Sequence, residues 1–333
     1  MIDGCSRGYG RPWARDGLKV AVLMGGVSQE REISLESGEC VADALREAGV
    51  EVVAVDIAPG RMEILDDNLI DVFFVALHGR FGEDGELQQI LEDKSLVYTG
   101  SGPGASKAAF DKLASKACFA KSGLMVPQAI QFDAKQEPEE LKKQLQQIGN
   151  RFVVKPLRQG STIGVGIADD AASAISAAGQ CRSEFGDCMI EEYIEGREIT
   201  VGVLGGQALP IIEIRSRSGF YDYEAKYLDD ETEFLFNTIE NRELVGAIEK
   251  TAVASFDVLG CRHFARADFI IDSEQNVYIL EVNTIPGFTN HSLLPMAAVR
   301  AGISMSDLCL KIVEAALTNN MVEAFVKASL NRQ

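Results

Sequence analysis

The sequence predicts a chain that opens as α/β and continues as α+β, and three observations carry that prediction. LKVAVLMGG (residues 18–26) is an apolar run that ends in two glycines and leads into a helical stretch, as a buried strand opening an α/β unit does. Strand-like and helix-like runs then alternate up to a Gly-rich exit near residue 102. In the second half, apolar runs come in adjacent pairs instead: EITVGVLGG with ALPIIEIRS, and FIID with VYILEVN, as antiparallel hairpins do.

The elements follow in order. SQEREISLESGECVADALREAG is the first helix, VEVVAVDI and DVFFVALHG are the next strands, GELQQILEDKSL is a helix, and LVYTGSGPG is a short strand with a Gly-rich exit. ASKAAFDKLASKACFAKSG reads as one amphipathic helix and EPEELKKQLQQIG as another, flanked by strands around 126–132 and 152–155. FVVKPLRQGSTIGVGIAD is strand, glycine loop, strand, and CMIEEYI is a short strand. After ALPIIEIRS comes the Tyr-rich SRSGFYDYEAKYLDDETEF, polar and without periodicity. A helix near 241–259, the last hairpin and two closing helices, about 304–316 and 321–330, complete the chain, which carries no internal repeat.

Composition excludes several classes. With 333 residues, 46% hydrophobic and 25% charged, the chain can bury the cores of two or three domains. Its longest apolar runs, 72–77 and 199–204, are strand-sized, so no membrane span is expected. Residues 1–17 lack the apolar core of a signal peptide and are expected to be a disordered extension. Seven scattered cysteines without CxxC spacing imply reduced thiols and a cytoplasmic protein. Three histidines without metal-ligand spacing argue against zinc, and a net charge of -18 argues against a nucleic-acid partner.

The chemistry concentrates in FIIDSEQNVYILEVNTIPG. Folding this hairpin about its polar turn brings Asp268 roughly opposite Glu281, with Asn283 on the same face as Glu281. Each carboxylate could simply pair with a nearby Arg or Lys, but three oxygen donors on one face suit Mg²⁺, which completes its shell with phosphates and water and so implies a nucleotide. VVKPLRQGSTIGVG offers Lys155 and a Gly-Ser loop able to close over phosphates, although a plain hairpin would read the same and no Walker GK[ST] follows. Lys112 and Lys226 strengthen the anion reading against so negative a chain. Glu191 and Glu198 bracket a strand edge that could hold ribose and adenine, or be a solvated acidic edge. Glu30 follows the first strand-to-helix turn, where a ligand crevice forms, but an acid there is also favoured by the helix dipole alone.

Taken in order, GGVSQEREISLESG, ALHGRFGEDG, YTGSG, FDKLASK, VVKPLRQGSTIGV, IEEYIEGREITVGVLG, FYDYEAKYLDDET, RADFIID and LEVNTIPGFTNHSLLPMAA resemble the D-alanine–D-alanine ligases. The resemblance runs nearly collinearly from Leu18 to about Ala316. It implies a three-domain ATP-grasp fold with an N-terminal Rossmann-like domain: residues 18–102 for substrate, 103–194 and 195–333 gripping ATP, and a lid at about 216–234. It also implies ATP, Mg²⁺ or in its place Mn²⁺, two D-alanines, an acyl phosphate intermediate and a homodimer. Asp268, Glu281 and Asn283 would hold the metal. Lys112, Lys155 and Lys226 would contact phosphates, and Glu191, Ile194 and Glu198 would line adenine and ribose. Glu30, with His78 in the same pocket, would anchor the first D-alanine. Arg266 and the Gly287 N–H would meet the oxyanion, Ser161 and Tyr227 would bond with Glu30, and Ser292 with Leu293 would receive the second carboxylate. The position of Arg266, two residues before Asp268, puts it on the same strand face by parity alone.

Some features depart from the family pattern. LFNTIENREL after the lid lacks the usual proline-alanine element, and CRHFARADF replaces a commoner small or glycine-containing lead-in to the arginine. The rival readings are a D-alanine–D-lactate or other amino-acid ligase, disfavoured by Tyr227, and a catalytically silent ATP-binding protein, which should have lost Arg266 or a metal ligand. A nicotinamide oxidoreductase lacks its GxGxxG fingerprint.

Overall fold

The strand-sized runs sort into three separate sheets in a computed structural model that describes residues 17–216 and 232–330, with side chains as far as 319. Most of the expected lid, including Lys226 and Tyr227, and nearly all of the expected N-terminal extension lie outside the described residues. The first sheet is parallel, with β1 (Lys19–Gly25) between β2 (Glu51–Ile57) and β3 (Val72–Val75). Strand alternation sends Val20, Val22 and Met24 into a core with α1 (Arg31–Glu47), and Ala21 and Leu23 into another with α2 (Glu86–Asp93). Burial on both faces is why β1 reads as a continuous apolar run.

The second sheet is antiparallel, in the order β4 (Ala129–Gln131), β7 (Cys188–Glu192), β5 (Phe152–Pro156), β6 (Gly166–Ala168), backed by α5 (Pro138–Ile148) and α6 (Ala171–Phe185). The third runs β11 (Glu233–Phe236), β10 (Ile212–Arg215), β8 (Arg197–Leu204), β12 (Phe264–Ile271), β13 (Val277–Asn283), with β9 (Gln207–Ala208) paired to β8. Helix α7 (Arg242–Leu259) is capped by the Asn241 side chain and stopped by Gly260 in the left-handed conformation. Its Leu244, Ile248, Ala252 and Phe256, at helical spacing of four, pack on β8 and β12.

Three of the expected helices need correction. The run at 105–123 is not one helix: it breaks into α3 (Pro103–Phe110) and α4 (Lys112–Lys121) at Asp111, whose side chain caps α4 by accepting from the Leu113 and Ala114 N–H groups. Conversely, the two closing helices are a single helix, α9 (Met305–Leu330), because Thr-Asn-Asn at 318–320 weakens a helix without breaking it. The sequence reading also passed over α6 and the short α8 (Leu293–Arg300).

The first and third sheets are joined by apolar contact. Phe264 at the head of β12 and Phe288 beyond β13 meet edge to face at 5.5 Å, and Phe74 of β3 meets Phe288 the same way at 5.5 Å. All three rings are fully buried, each contributing about 1.5–3 kcal/mol by burial alone. Beside them His263 sits at φ 63, its Nδ1 accepting the Gly100 N–H at 3.0 Å, while the Arg262 guanidinium donates to the Gly100 carbonyl at 3.2 Å. No single helix among the described residues is long and apolar enough to cross a membrane; the bent pair α8 and α9 passes by length and composition, but Leu293, Leu294, Leu308, Leu310, Ile312 and Val313 of the pair are packed in the core.

Candidate active site

Two hollows adjoin where the sheets converge, and Lys112, Gln159 and Glu281 wall both. The larger, about 430 Å³, lies between the second and third sheets; the smaller, about 120 Å³, lies between the loops that follow β1 and β3 and the loop that follows β13.

Their common floor is the β12–β13 hairpin. Cross-strand register sets Asp268 directly opposite Glu281 and Arg266 directly opposite Asn283, so the expected face exists. The carboxylates do not confront each other bare. Arg266 grips Asp268 with two parallel bonds, Nε to Oδ1 at 2.9 Å and Nη2 to Oδ2 at 2.8 Å, and Thr200 of β8 donates to the same Oδ1 at 2.6 Å. Lys112 reaches Glu281 at 3.0 Å and donates to the Gln159 carbonyl at 2.8 Å. The helix break at Asp111 is what allows this, since it sets Lys112 in the first turn of α4, beside the Arg158–Gln159 turn.

The donor set suits a hard cation that brings its own partners. Among the described residues no group of three or more His, Cys, Asp or Glu could cage a metal, so two facing carboxylates make only a partial oxygen site. Such a site fits Mg²⁺ shared with phosphate and water, not a fully protein-held ion. Asn283 lines the smaller hollow, and its Oδ1 already accepts the Ile285 N–H at 2.9 Å.

In the larger hollow stand Lys155, Glu191, Ile194 and Glu198, all four expected there. Of the two readings of Glu191, the solvated acidic edge does not hold: it is almost wholly buried between Lys155, at 2.6 Å, and Lys116, at 2.5 Å. Burial would push its carboxyl up, but the two ammonium groups hold it below the usual range. At the cavity's outer edge Arg197 and Arg215 flank buried Glu213 and bring it down to about 2 against the pull of desolvation.

The smaller hollow collects Glu30, His78, Ser161, Arg266, Gly287, Ser292 and Leu293 from stretches far apart in sequence. Ser161 donates to Glu30 Oε1, and Ser161 and Thr162 both have left-handed backbones, at φ 52 and 59. Two consecutive non-glycine residues there are costly, and backbone strain of this kind clusters at functional sites. Gly160 is dictated by space, because a Cβ on it would lie 2.8 Å from Glu30 Oε2. A Cβ on Gly287 would likewise lie 2.6 Å from Ser292 Oγ, which accepts the Thr289 N–H at 3.0 Å. Burial alone would lower the His78 imidazole, yet Glu83 beside it, the Glu30 charge and the Ile285 backbone together raise it. Its Nε2 meets Ser37 Oγ at 3.1 Å, and that oxygen accepts the Phe288 N–H at 3.1 Å.

Sequence reasoning missed Lys116, Gln159, Thr200, Glu83 and Ser37. Lys116 carried a signal, four residues after Lys112 and hence on the same helix face. Thr200 and Gln159 did not, because strand pairing and a backbone carbonyl are invisible to residue type.

Residues 118–314 match the family model described as D-ala D-ala ligase C-terminus. The chain is 43% identical over 316 residues to a D-alanine–D-alanine ligase of Pelotomaculum thermopropionicum, covering 91% of this chain and 98% of the relative, and 41% identical over 298 residues to that of Syntrophotalea carbinolica, covering 90% and 96%. It belongs to the D-alanine–D-alanine ligase family. Among solved structures, the Bacillus anthracis D-alanine–D-alanine ligase complexed with ATP superposes with a TM-score of 0.80 at 32% identity, over 92% of this chain and 99% of that one. The D-Ala:D-Ser ligase VanG of Enterococcus faecalis superposes at 0.78 with 26% identity, over 90% and 99%. In ligase-family terms, the three sheets are those of an ATP-grasp fold.

Proposed function

We propose that this ligase-family chain joins two D-alanines at the expense of ATP, with the larger hollow holding the nucleotide and the smaller one the amino acids. One observation carries the reading: the two hollows meet at Lys112 and Glu281, with Arg266 on the same hairpin face. A terminal phosphate in one hollow and a carboxylate in the other can come together there.

The chemistry follows from the lining. A carboxylate oxygen of the first D-alanine attacks the γ-phosphorus of ATP, the bond to ADP breaks, and a D-alanyl phosphate forms. The amine of the second D-alanine, having lost a proton, then adds to the acyl carbon, and the tetrahedral oxyanion collapses with loss of phosphate. Lys112 and Lys155 offer positive charge to the polyphosphate, and Lys226 is proposed to join them. Glu30, shaped by Ser161 and Gly160, holds the first ammonium beside His78, with Tyr227 proposed to close over it. Arg266 and the Gly287 N–H meet the oxyanion, where preorganised donors contribute most to rate. Ser292 and Leu293 take the second carboxylate. Asp268 and Glu281, with Asn283 at the edge, would hold Mg²⁺ or Mn²⁺, which when bound neutralises charge on the phosphates. On metal binding, Arg266 and Lys112 would give up the carboxylates they now neutralise.

The chain divides, on this reading, into an N-terminal substrate domain at 18–102 and two grasp domains at 103–194 and 195–333, with a lid at about 216–234 that excludes water from the acyl phosphate. It works in the cytoplasm as a homodimer. Incubation of the purified protein with ATP, Mg²⁺ and D-alanine should release phosphate and D-alanyl-D-alanine together; neither product forming would reject the proposal. The likeness to VanG favours one second reading, in which D-serine is also an acceptor. An acceptor screen with D-alanine, D-serine and D-lactate, scored by phosphate release, separates the two, and Tyr227→Phe should raise relative use of D-lactate.

A further inference from the structure

Behind the wall of the larger hollow lies a charge that the proposed chemistry does not use. Lys116 is 4% exposed and does not line the cavity; it stands behind Glu191, itself 2% exposed, which separates it from Lys155, 8% exposed. One carboxylate thus serves two ammonium groups in a buried trio with an excess of one positive charge. The excess costs energy, because burial taxes each charge and the two lysines repel. Burial pushes the Lys116 ammonium down by more than Glu191 lifts it, and Lys155 lowers it further. The contact between Lys116 Nζ and Glu191 Oε2 is close, but neither atom has a hydrogen-bond partner at a good angle. The other nearby carboxylate, Glu281, is engaged with Lys112.

Such an arrangement makes sense if an anion takes one lysine away. Lys155 faces the cavity and Lys116 does not, so Lys155 is the one free to leave. We propose that Lys116 is a positioning residue of the nucleotide site: when Lys155 transfers its ion pair from Glu191 to the polyphosphate, Lys116 keeps Glu191 neutralised and fixed as the wall that faces the nucleotide. Without Lys116, either Glu191 would be left as a bare buried carboxylate or Lys155 would stay on it and be lost to the phosphates. The inference rests on the nucleotide reading of this hollow, and its test distinguishes the two failures.

The test compares wild type with Lys116→Met, Lys116→Arg, Glu191→Gln and the Lys116→Met/Glu191→Gln double variant, by calorimetric titration with ATP and by steady-state kinetics. Lys116→Met should weaken ATP binding about tenfold or more, the scale of one lost charge-assisted contact. The KM for D-alanine should stay within about twofold, which general loosening of the fold would not allow. Lys116→Arg should recover much of the loss. The double variant should bind ATP better than the product of the two single losses predicts, because removing both charges together leaves none uncompensated. If wild type itself fails to bind ATP, the nucleotide reading falls and this inference with it. If wild type binds and Lys116→Met binds equally well, or if the D-alanine KM moves as far as the ATP affinity, Lys116 has no positioning role.

Discussion

The two hollows are built differently although they share a wall. The larger one is lined mainly by strand residues of two facing sheets, Val153 and Lys155 of β5, Glu191 of β7, Glu198 of β8, Asp268 of β12, so its side chains are aimed by pleat and register. The smaller one is made by loops: Glu30 after β1, His78 after β3, Ser161 after β5, and residues 284–292 after β13. What aims these side chains is a set of tight local devices, including two left-handed residues, two sterically required glycines and the Ser37 bridge. The rigid wall suits a nucleotide common to many enzymes; the loop-built cleft is where substrate preference can vary.

If the division of labour is right, substitutions should separate by hollow. The largest effect is expected at the junction face: Arg266→Met should lower kcat about 10²–10³-fold, the range for loss of one oxyanion donor, with smaller changes in either KM. Glu281→Gln, which borders both hollows, should impair ATP and D-alanine together and lower turnover by at least about tenfold; an effect on one substrate alone would break the idea of a shared wall. Glu30→Gln should raise the D-alanine KM about tenfold while ATP affinity, followed by calorimetry, stays put.

The smallest effect lies outside both hollows. Burial and neighbouring Arg262 lower His263 from its ordinary 6.5 to about 4, so the unfolded chain takes up this proton first as the medium is acidified. Stability from this group is complete above pH 6.5 and is lost as pH falls towards 4. Thermal melts of His263→Gln should show a shallower decline over that window than wild type, and parallel curves would remove His263 as the cause.

How much of this was legible follows from the same contrast. That Arg266 shares a face with Asp268, and Glu281 with Asn283, could be read by strand parity; that Asp268 faces Glu281 depends also on a register shift between Asp268 and Phe269, which counting from the turn does not contain. The two-helix break at Asp111 could not, because the apolar spacing continues across it and only the capping bonds end one helix and start the next. The alanine-rich α6 was passed over because Ala and Ser alternate with little hydrophobic contrast, leaving a weak periodic signal. That Glu191 is buried between two lysines could not be read, since its partner Lys116 arrives from a helix that sequence alone does not dock. The loop-built cleft was reached through motif resemblance; nothing in residue spacing brings Glu30 to Ser161.

The core beneath the first sheet has a consequence for how the chain is made. The elements flanking β1, namely α1 and β3, pack against α9, so that Val41 and Phe74 share a core with Leu308, Ile312 and Val313, more than two hundred residues later. During synthesis the first sheet therefore emerges with one face lacking its final cover until the last helices leave the ribosome. Contacts of such long sequence separation form late and leave apolar surface exposed meanwhile. A fragment ending near residue 102 should accordingly be prone to aggregation, and chaperone demand should fall mostly in the interval before α8 and α9 are released.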